Sequence, residues 1–344
     1  MSNDTAILII YTGGTIGMVQ DPITGALQPF NIDNLYEHIP VLERYQCTID
    51  SYSFDPLIDS SNMSPEFWAN MANVVAENYE KYDGFVILHG SDTMAYSASA
   101  LSFMFENLNK PVVFTGSQLP LGVLRTDGRD NFINAIEIAS SYQDSTPVVP
   151  EVSVYFESQL FRGNRTTKAN AENFEAFQSP NYPVLGDIGV HVKLYKDRIN
   201  KPNFKKLKVH THFDNNVAIL KLYPGMSPQY VKSILNIKGL KGVVMETYGS
   251  GNASTEKWFL DELESAIKKD IIIYNSTQCQ SGSVEMGKYE TSVNLANIGV
   301  IGGYDITLES AITKLMYLFG RDFSLAEIRS KLAISLRGEI TIDS

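Results

Sequence analysis

Cysteine is scarce: only Cys47 and Cys279 occur in 344 residues, far apart and without metal-ligand spacing. That pattern excludes a disulfide framework and points to reduced thiols in a cytoplasmic protein. Histidine gives no metal motif either, because His210 and His212 stand in a polar stretch without a third ligand and read as surface histidines. Positive charge is short as well: 28 Lys and Arg against 39 Asp and Glu leave a net charge of −11. Nucleic-acid binding wants a basic face, so no nucleic-acid partner is expected. The acidity itself needs no explanation beyond solubility. No apolar run approaches the roughly 20 residues that span a bilayer, so no membrane partner is expected. Met1–Thr5 leads straight into the first apolar run without a basic region or cleavage site, which predicts a chain without a signal peptide.

What is present is organised around Ala6-Ile7-Leu8-Ile9-Ile10-Tyr11, which runs into Thr12-Gly13-Gly14-Thr15-Ile16-Gly17. A short apolar, β-branched run bounded by glycines reads as a buried parallel strand. Such a strand ends at the carboxyl edge of an open α/β sheet, where ligands bind. Gly13 and Gly14 let the backbone turn tightly there, leaving the hydroxyls of Thr12 and Thr15 at the sheet mouth. Three readings fit: a βα connection whose threonines cap backbone groups, a nucleotide cradle, or a hydroxyl nucleophile that needs a base from elsewhere. The cradle fits least, because the order is G-G-x-x-G and no acidic residue ends an obvious second strand.

Further strands and helices alternate along the chain. Met18–Phe30, rich in Asp, Pro and Gly, reads as a loop or small hairpin and a candidate lid. A strand near 46–54 leads to Asp59-Ser60-Ser61, and Ser64-Pro65-Glu66 opens a helix to about Lys81 with a hydroxyl cap and proline at the first position. Gly84–Leu88 is the next buried strand, ending in His89-Gly90-Ser91-Asp92-Thr93. The helix after it spaces Met94, Ala98, Leu101, Phe105 and Leu108 as one amphipathic face. Strands at 111–115 and 152–156 flank a helix near 129–140, and Gly163-Asn164-Arg165-Thr166-Thr167-Lys168 follows. This alternation predicts an α/β fold: a larger N-terminal doubly wound, mostly parallel sheet domain over 1–195 that holds most of the site. A linker at 196–216 and a smaller C-terminal α/β domain at 217–344 complete the expectation, with strands near 217–223, 242–245 and 270–274 and helices near 308–319 and 325–332.

Ser91-Asp92 and Asp59-Ser60-Ser61 sit, like Thr15, where strands give way to helices, and each doubles as a helix cap. All three turns leave one sheet edge, so they can face each other. Lys168 lies in a polar stretch where a single lysine is normally solvated. Gly282–Tyr289 nearly matches a phosphate loop but puts Tyr289 where a magnesium-binding hydroxyl belongs, and is rejected.

Assembled in order, these motifs resemble the bacterial cytoplasmic (type I) L-asparaginases. The matches are Thr12-Gly13-Gly14-Thr15-Ile16-Gly17, Asp59-Ser60-Ser61, His89-Gly90-Ser91-Asp92-Thr93-Met94 and Arg162–Ala169. Tyr248-Gly249-Ser250-Gly251-Asn252, Gly299–Gly303 and Leu336-Arg337-Gly338-Glu339 extend them along nearly the whole chain. The resemblance implies hydrolysis of L-asparagine by a homodimer or homotetramer that carries no cofactor and no metal. It implies Thr15 as the nucleophile that forms an acyl-enzyme, and Ser91, Lys168 and Asp92 as the proton relay. Asp59, Ser60, Ser61, Ser91 and Asp92 are then the substrate-binding residues, and backbone N–H groups of these turns the oxyanion hole. Three positions depart from the family pattern. The relay hydroxyl is usually threonine and is Ser91 here. Met18–Phe30 has no tyrosine, which many relatives place in the lid. Glu246 stands where some cytoplasmic relatives carry an arginine that binds a regulatory substrate molecule. Two other readings remain at this point: a non-catalytic amino-acid or nucleotide sensor, and an amidotransferase subunit, which wants a tRNA-facing domain and a basic surface.

Overall fold

A computed structural model describes residues 5–20, 27–29, 39–44, 47–287 and 290–342. The chain divides into two compact units, Met1–Thr211 and His212–Ser344.

The first unit is built on an eight-stranded sheet. Its strands are β1 (Thr5–Tyr11), β2 (Cys47–Ser53), β3 (Gly84–Leu88), β4 (Val112–Thr115), β5 (Val152–Phe156), β6 (Gln159–Arg162), β7 (Gly186–Ile188) and β8 (Val192–Leu194). They lie in the order β2-β1-β3-β4-β5-β6-β7-β8. The first five are mutually parallel, and β6, β7 and β8 add on antiparallel. The change of direction has a local cause. Only Glu157 and Ser158 separate β5 from β6, with Glu157 at φ 57°, and so short a connection permits a hairpin but no crossover.

Strand order reverses at β1: the chain places β2 on one side of it and then returns to place β3 on the other. A ligand crevice opens at such a reversal, beyond the carboxyl ends of the two central strands. The register puts Tyr11 beside Leu88, so the turns after β1 and β3 begin at the same height. Beneath them the sheet is firm. Ile7, Ile9, Tyr11, Val86, Leu88 and Val113 pack with Phe132 and Ile136 in one buried cluster, each such side chain contributing about 1.5–3 kcal/mol on full burial.

Among the described residues, three helices cover this sheet: α1 (Pro65–Glu77), α2 (Met94–Met104) and α3 (Gly128–Ala139). Ser64 caps α1 as expected, its hydroxyl accepting from the Phe67 N–H at 3.4 Å. The helix stops at Glu77, short of Lys81, where the Asn78 side chain donates to the Val74 carbonyl. The expected amphipathic face on α2 is corrected. Every α2 residue except Tyr96 is buried, Ser97, Ser99 and Ser102 included, because α1, β5 and the segment Gly163–Arg165 all pack on it, so the helix presents no solvated polar face. Phe105 and Glu106 leave the helix and pair with Lys208–Val209. The expected linker is therefore partly tied down. His210 is likewise no free surface histidine: its Nε2 lies 2.9 Å from Glu106, and its side chain is 12% exposed. Lys208 and His210 together hold the Glu106 carboxyl down to about 2. Within the candidate lid, Met18–Gln20 pairs antiparallel with Leu27–Pro29; residues 21–26 and 30 lie outside the described residues.

The second unit has four parallel strands in sequence order, β9 (Val217–Lys221), β10 (Gly242–Thr247), β11 (Ile272–Thr277) and β12 (Ile301–Gly302). Its helices are α4 (Pro228–Leu235), α5 (Lys257–Lys268), α6 (Glu290–Asn297), α7 (Leu308–Phe319) and α8 (Leu325–Leu332). A wholly buried pair, Lys314 and Glu339 at 2.7 Å, fastens the final segment to α7. Glu246 is buried near the end of β10, with Lys221 Nζ 3.6 Å from its carboxylate.

Among the described residues, no helix is long and apolar enough to cross a membrane, and no three His, Cys, Asp or Glu are grouped to hold a metal.

Candidate active site

Three turns close on one another at the carboxyl edge, and they do so backbone against backbone. The Thr12 N–H and hydroxyl both donate to the Leu88 carbonyl, at 3.1 and 2.9 Å, while the Thr12 carbonyl accepts from Ile58 at 2.9 Å. The glycines make this approach possible. A Cβ on Gly13 would stand 2.3 Å from the Ile58 oxygen, and one on Gly14 would stand 2.5 Å from the Gly90 backbone. Both glycines also hold positive φ, at 128° and 91°. Gly90 in turn has Ser60 against it, its imagined Cβ 2.5 Å from the Ser60 Oγ. The Thr93 hydroxyl donates to the Ser60 carbonyl at 2.7 Å, joining the second turn to the third.

These turns enclose a cleft of about 430 Å³ lined by Gly14, Thr15, Asp59, Ser60, Ser91 and Asp92, with Lys168 entering its wall. That volume lies in the range of small-molecule sites, about 300–1,000 Å³. Thr15 is half-buried at the head of a short 3-10 turn, Thr15–Gly17. Ser91 and Asp92 lie just ahead of α2, where the positive end of the helix dipole favours a carboxylate. Lys168 comes from a different direction, on a two-residue strand paired with Phe177–Gln178. Its Nζ reaches Ser91 Oγ at 2.9 Å and Asp92 Oδ1 at 2.6 Å. The Asp92 side chain is 70% exposed, so it holds the lysine and still faces the cleft.

Asp59 and Ser61 pair with each other: Asp59 Oδ1 accepts the Ser61 N–H and hydroxyl, both at 2.8 Å. Those bonds hold the Asp59 carboxyl below its ordinary range and ionised. Ser60 is buried against Gly90, whereas Ser61 is exposed and does not line the cleft. Thus Thr15, Asp59, Ser60, Ser91, Asp92 and Lys168 come together, and Ser61 sits beside them as a cap.

Sequence reasoning missed four lining residues: Leu57, Ile58 and Ala171, which with Met18 of the candidate lid give the cleft an apolar side, and Gln118, which gives it an amide. Gln118 had a signal: Thr115-Gly116-Ser117-Gln118 repeats, after β4, the strand–glycine–hydroxyl order seen after β3. Its Nε2 donates to the Ala171 and Asn173 carbonyls at 3.2 and 2.9 Å, tethering the loop after Lys168. Its own N–H and that of Leu119 are fixed by the Asp127 carboxylate.

A buried histidine underlies the Ser91 turn. His89 Nδ1 lies 2.7 Å from the Gly90 carbonyl, which only accepts, so Nδ1 carries the proton. Nε2 then accepts from the Ser97 hydroxyl at 2.9 Å, and Ser97 accepts from Trp68 Nε1 at 2.9 Å. Full burial pushes the His89 imidazole down to about 4, so it is neutral.

Comparison with known proteins covers nearly the whole chain. The family described as "Asparaginase, N-terminal" matches residues 6–200, and "Glutaminase/Asparaginase C-terminal domain" matches 216–332. "L-asparaginase 1" of Escherichia coli K12 is 44% identical, covering 98% of both chains. The "60 kDa lysophospholipase" of Mus musculus is 40% identical over 99% of this chain and 64% of its own length. The crystal structure of L-asparaginase I from Vibrio cholerae superimposes with a TM-score of 0.90 at 40% identity, covering 98% of this chain and 99% of that one.

Proposed function

Because the chain belongs to the asparaginase family, we propose that it hydrolyses the side-chain amide of L-asparagine to L-aspartate and ammonia through a Thr15 acyl-enzyme. One observation carries the reading: Lys168 Nζ lies within hydrogen-bond reach of both Ser91 and Asp92 in the cleft that Thr15 lines.

Thr15 Oγ1 attacks the amide carbon, and its proton passes through Ser91 to Lys168 Nζ. Asp92 lies against the ammonium so formed. The relay returns the proton to the leaving nitrogen, ammonia departs, and water repeats the sequence in reverse on the ester. Backbone N–H groups of the glycine-rich turns stabilise the anion on the amide oxygen, each donor being worth ~10²–10³ in rate. The substrate's α-ammonium sits against Asp92 and Asp59, and its α-carboxylate against Ser60 and the Ser61 turn. No cofactor takes part. The reading extends to a cytoplasmic homodimer or homotetramer.

The test is ammonia release by the purified protein from asparagine and from glutamine, with Thr15→Ala in parallel. The expected result is turnover of asparagine that falls by several orders of magnitude in Thr15→Ala while the fold persists. Activity of Thr15→Ala within about tenfold of the parent removes Thr15 from the mechanism.

A further inference from the structure

The turn that carries Thr15 has little of its own to hold it. Thr15–Gly17 is a single 3-10 turn closed by two backbone bonds, from the Gly17 N–H to the Gly14 carbonyl at 3.3 Å and from the Met18 N–H to the Thr15 carbonyl. No side chain caps its start, and the two residues before it are glycines at positive φ. Glycine loses more conformational freedom on ordering than any other residue. The neighbouring Asp59 turn, by contrast, has the Asp59 side chain to cap its start. A nucleophile tolerates little of that freedom, since a displacement of about 1 Å can cost on the order of 10²-fold in rate.

Order reaches the turn from below. Tyr11, the last residue of β1, is 1% exposed, and its hydroxyl donates to the Gly17 carbonyl at 3.0 Å. The ring touches the same residue: a Cβ on Gly17 would stand 2.1 Å from the phenolic oxygen and 2.2 Å from Cζ. Only glycine fits over that ring. Tyr11 is itself held on both sides, paired with Ser53 and Leu88, and its carbonyl accepts from the Phe54 N–H at 3.0 Å. Ile16, between Thr15 and Gly17, is buried in the same cluster as the Tyr11 ring. Burial pushes the phenol up to about 12, so the hydroxyl remains a donor at any working pH.

We infer that Tyr11 is a positioning residue for the nucleophile: its buried hydroxyl grips the Gly17 carbonyl and so fixes the turn that aims Thr15 into the cleft. Tyr11 supplies from the sheet the polar anchor that the turn lacks at its start. It touches no substrate, so its effect falls on the rate of the chemical steps and not on binding. This inference rests on Thr15 being the nucleophile.

The experiment is steady-state kinetics with asparagine on Tyr11→Phe, Gly17→Ala and Thr15→Ala, with thermal melting of each. Tyr11→Phe keeps the ring and removes the grip; it is expected to lower kcat by about 10- to 100-fold while KM stays within about threefold. Gly17→Ala pushes the ring and turn apart from the other side and is expected to show the same kcat-selective loss. The double variant Tyr11→Phe/Thr15→Ala is expected to be no slower than Thr15→Ala alone, because a residue that acts through Thr15 has nothing left to act on. The inference is overturned if folded Tyr11→Phe keeps parental kcat, if it raises KM in proportion to any loss, or if its effect persists in the Thr15→Ala background. Should Tyr11→Phe fail to fold, a Gly17→Ala protein with parental kcat overturns it equally. If Thr15→Ala itself remains active, the nucleophile reading fails first, and the two failures are told apart by that one arm.

Discussion

Lys168 Nζ lies 2.9 Å from Ser91 Oγ, across 77 positions of sequence. The contact depends on α2. That helix begins just after Ser91, and the Gly163–Arg165 segment leading to Lys168 packs against it. One buried helix therefore sets both ends of this contact.

In the proposed relay Ser91 takes the place of the family's usual threonine, without the methyl group that restricts the rotamer. Relay needs an oxygen in reach, which serine keeps. Ser91→Thr is expected to stay within about tenfold of the parent, and Ser91→Ala to lose on the order of 10²-fold or more. Kinetics on the two purified variants check this; an unimpaired Ser91→Ala would leave Ser91 as a helix cap only.

Lys168→Met should separate chemistry from stability. The Lys168 side chain is 17% exposed and its partner Asp92 70% exposed, so water still screens the pair from one side and its contribution is on the order of 1 kcal/mol. The melting temperature is expected to move by only a few degrees, while turnover drops by about 10²–10⁴-fold. A large loss of melting temperature with intact turnover would make the lysine structural.

His89 gives a pH prediction. Its imidazole is held down to about 4 in the folded chain, against 6.5 for an ordinary histidine. Between those values the unfolded chain binds the extra proton, so this stability is present above pH 6.5 and is lost as pH falls toward 4. The full effect is on the order of 3 kcal/mol. Urea unfolding of the parent and of His89→Gln across that window is the check. The stability gap between them should shrink as pH falls, and a constant gap would refute the assignment.

Glu246 bears on regulation. An arginine binds a carboxylate with two parallel bonds, and a glutamate in its place repels one. The rate is expected to rise hyperbolically with asparagine concentration. A sigmoidal curve that Glu246→Ala abolishes would show that a substrate molecule binds there after all.

The alternation of apolar runs with capped helices determined the α/β class, because a buried parallel strand is apolar on both faces and reads as an unbroken run. The glycines after β1 and β3 marked the turns for the same kind of reason: glycine, without a Cβ, permits close backbone approach. Local sequence also set Ser64 as a helix cap. It did not set where α2 ends. The spacing through Phe105 and Leu108 continues the helical period, yet pairing with Lys208–Val209 draws Phe105 and Glu106 into a strand. That partner lies about a hundred residues away, beyond the reach of any local pattern. Tertiary structure likewise decided that Lys168 meets Ser91, that Ser61 turns onto Asp59 and away from the cleft, and that Gln118 joins the wall. Sequence carries the residue types, but which side chains converge depends on strand order and helix seating, and those are settled by packing over long separations.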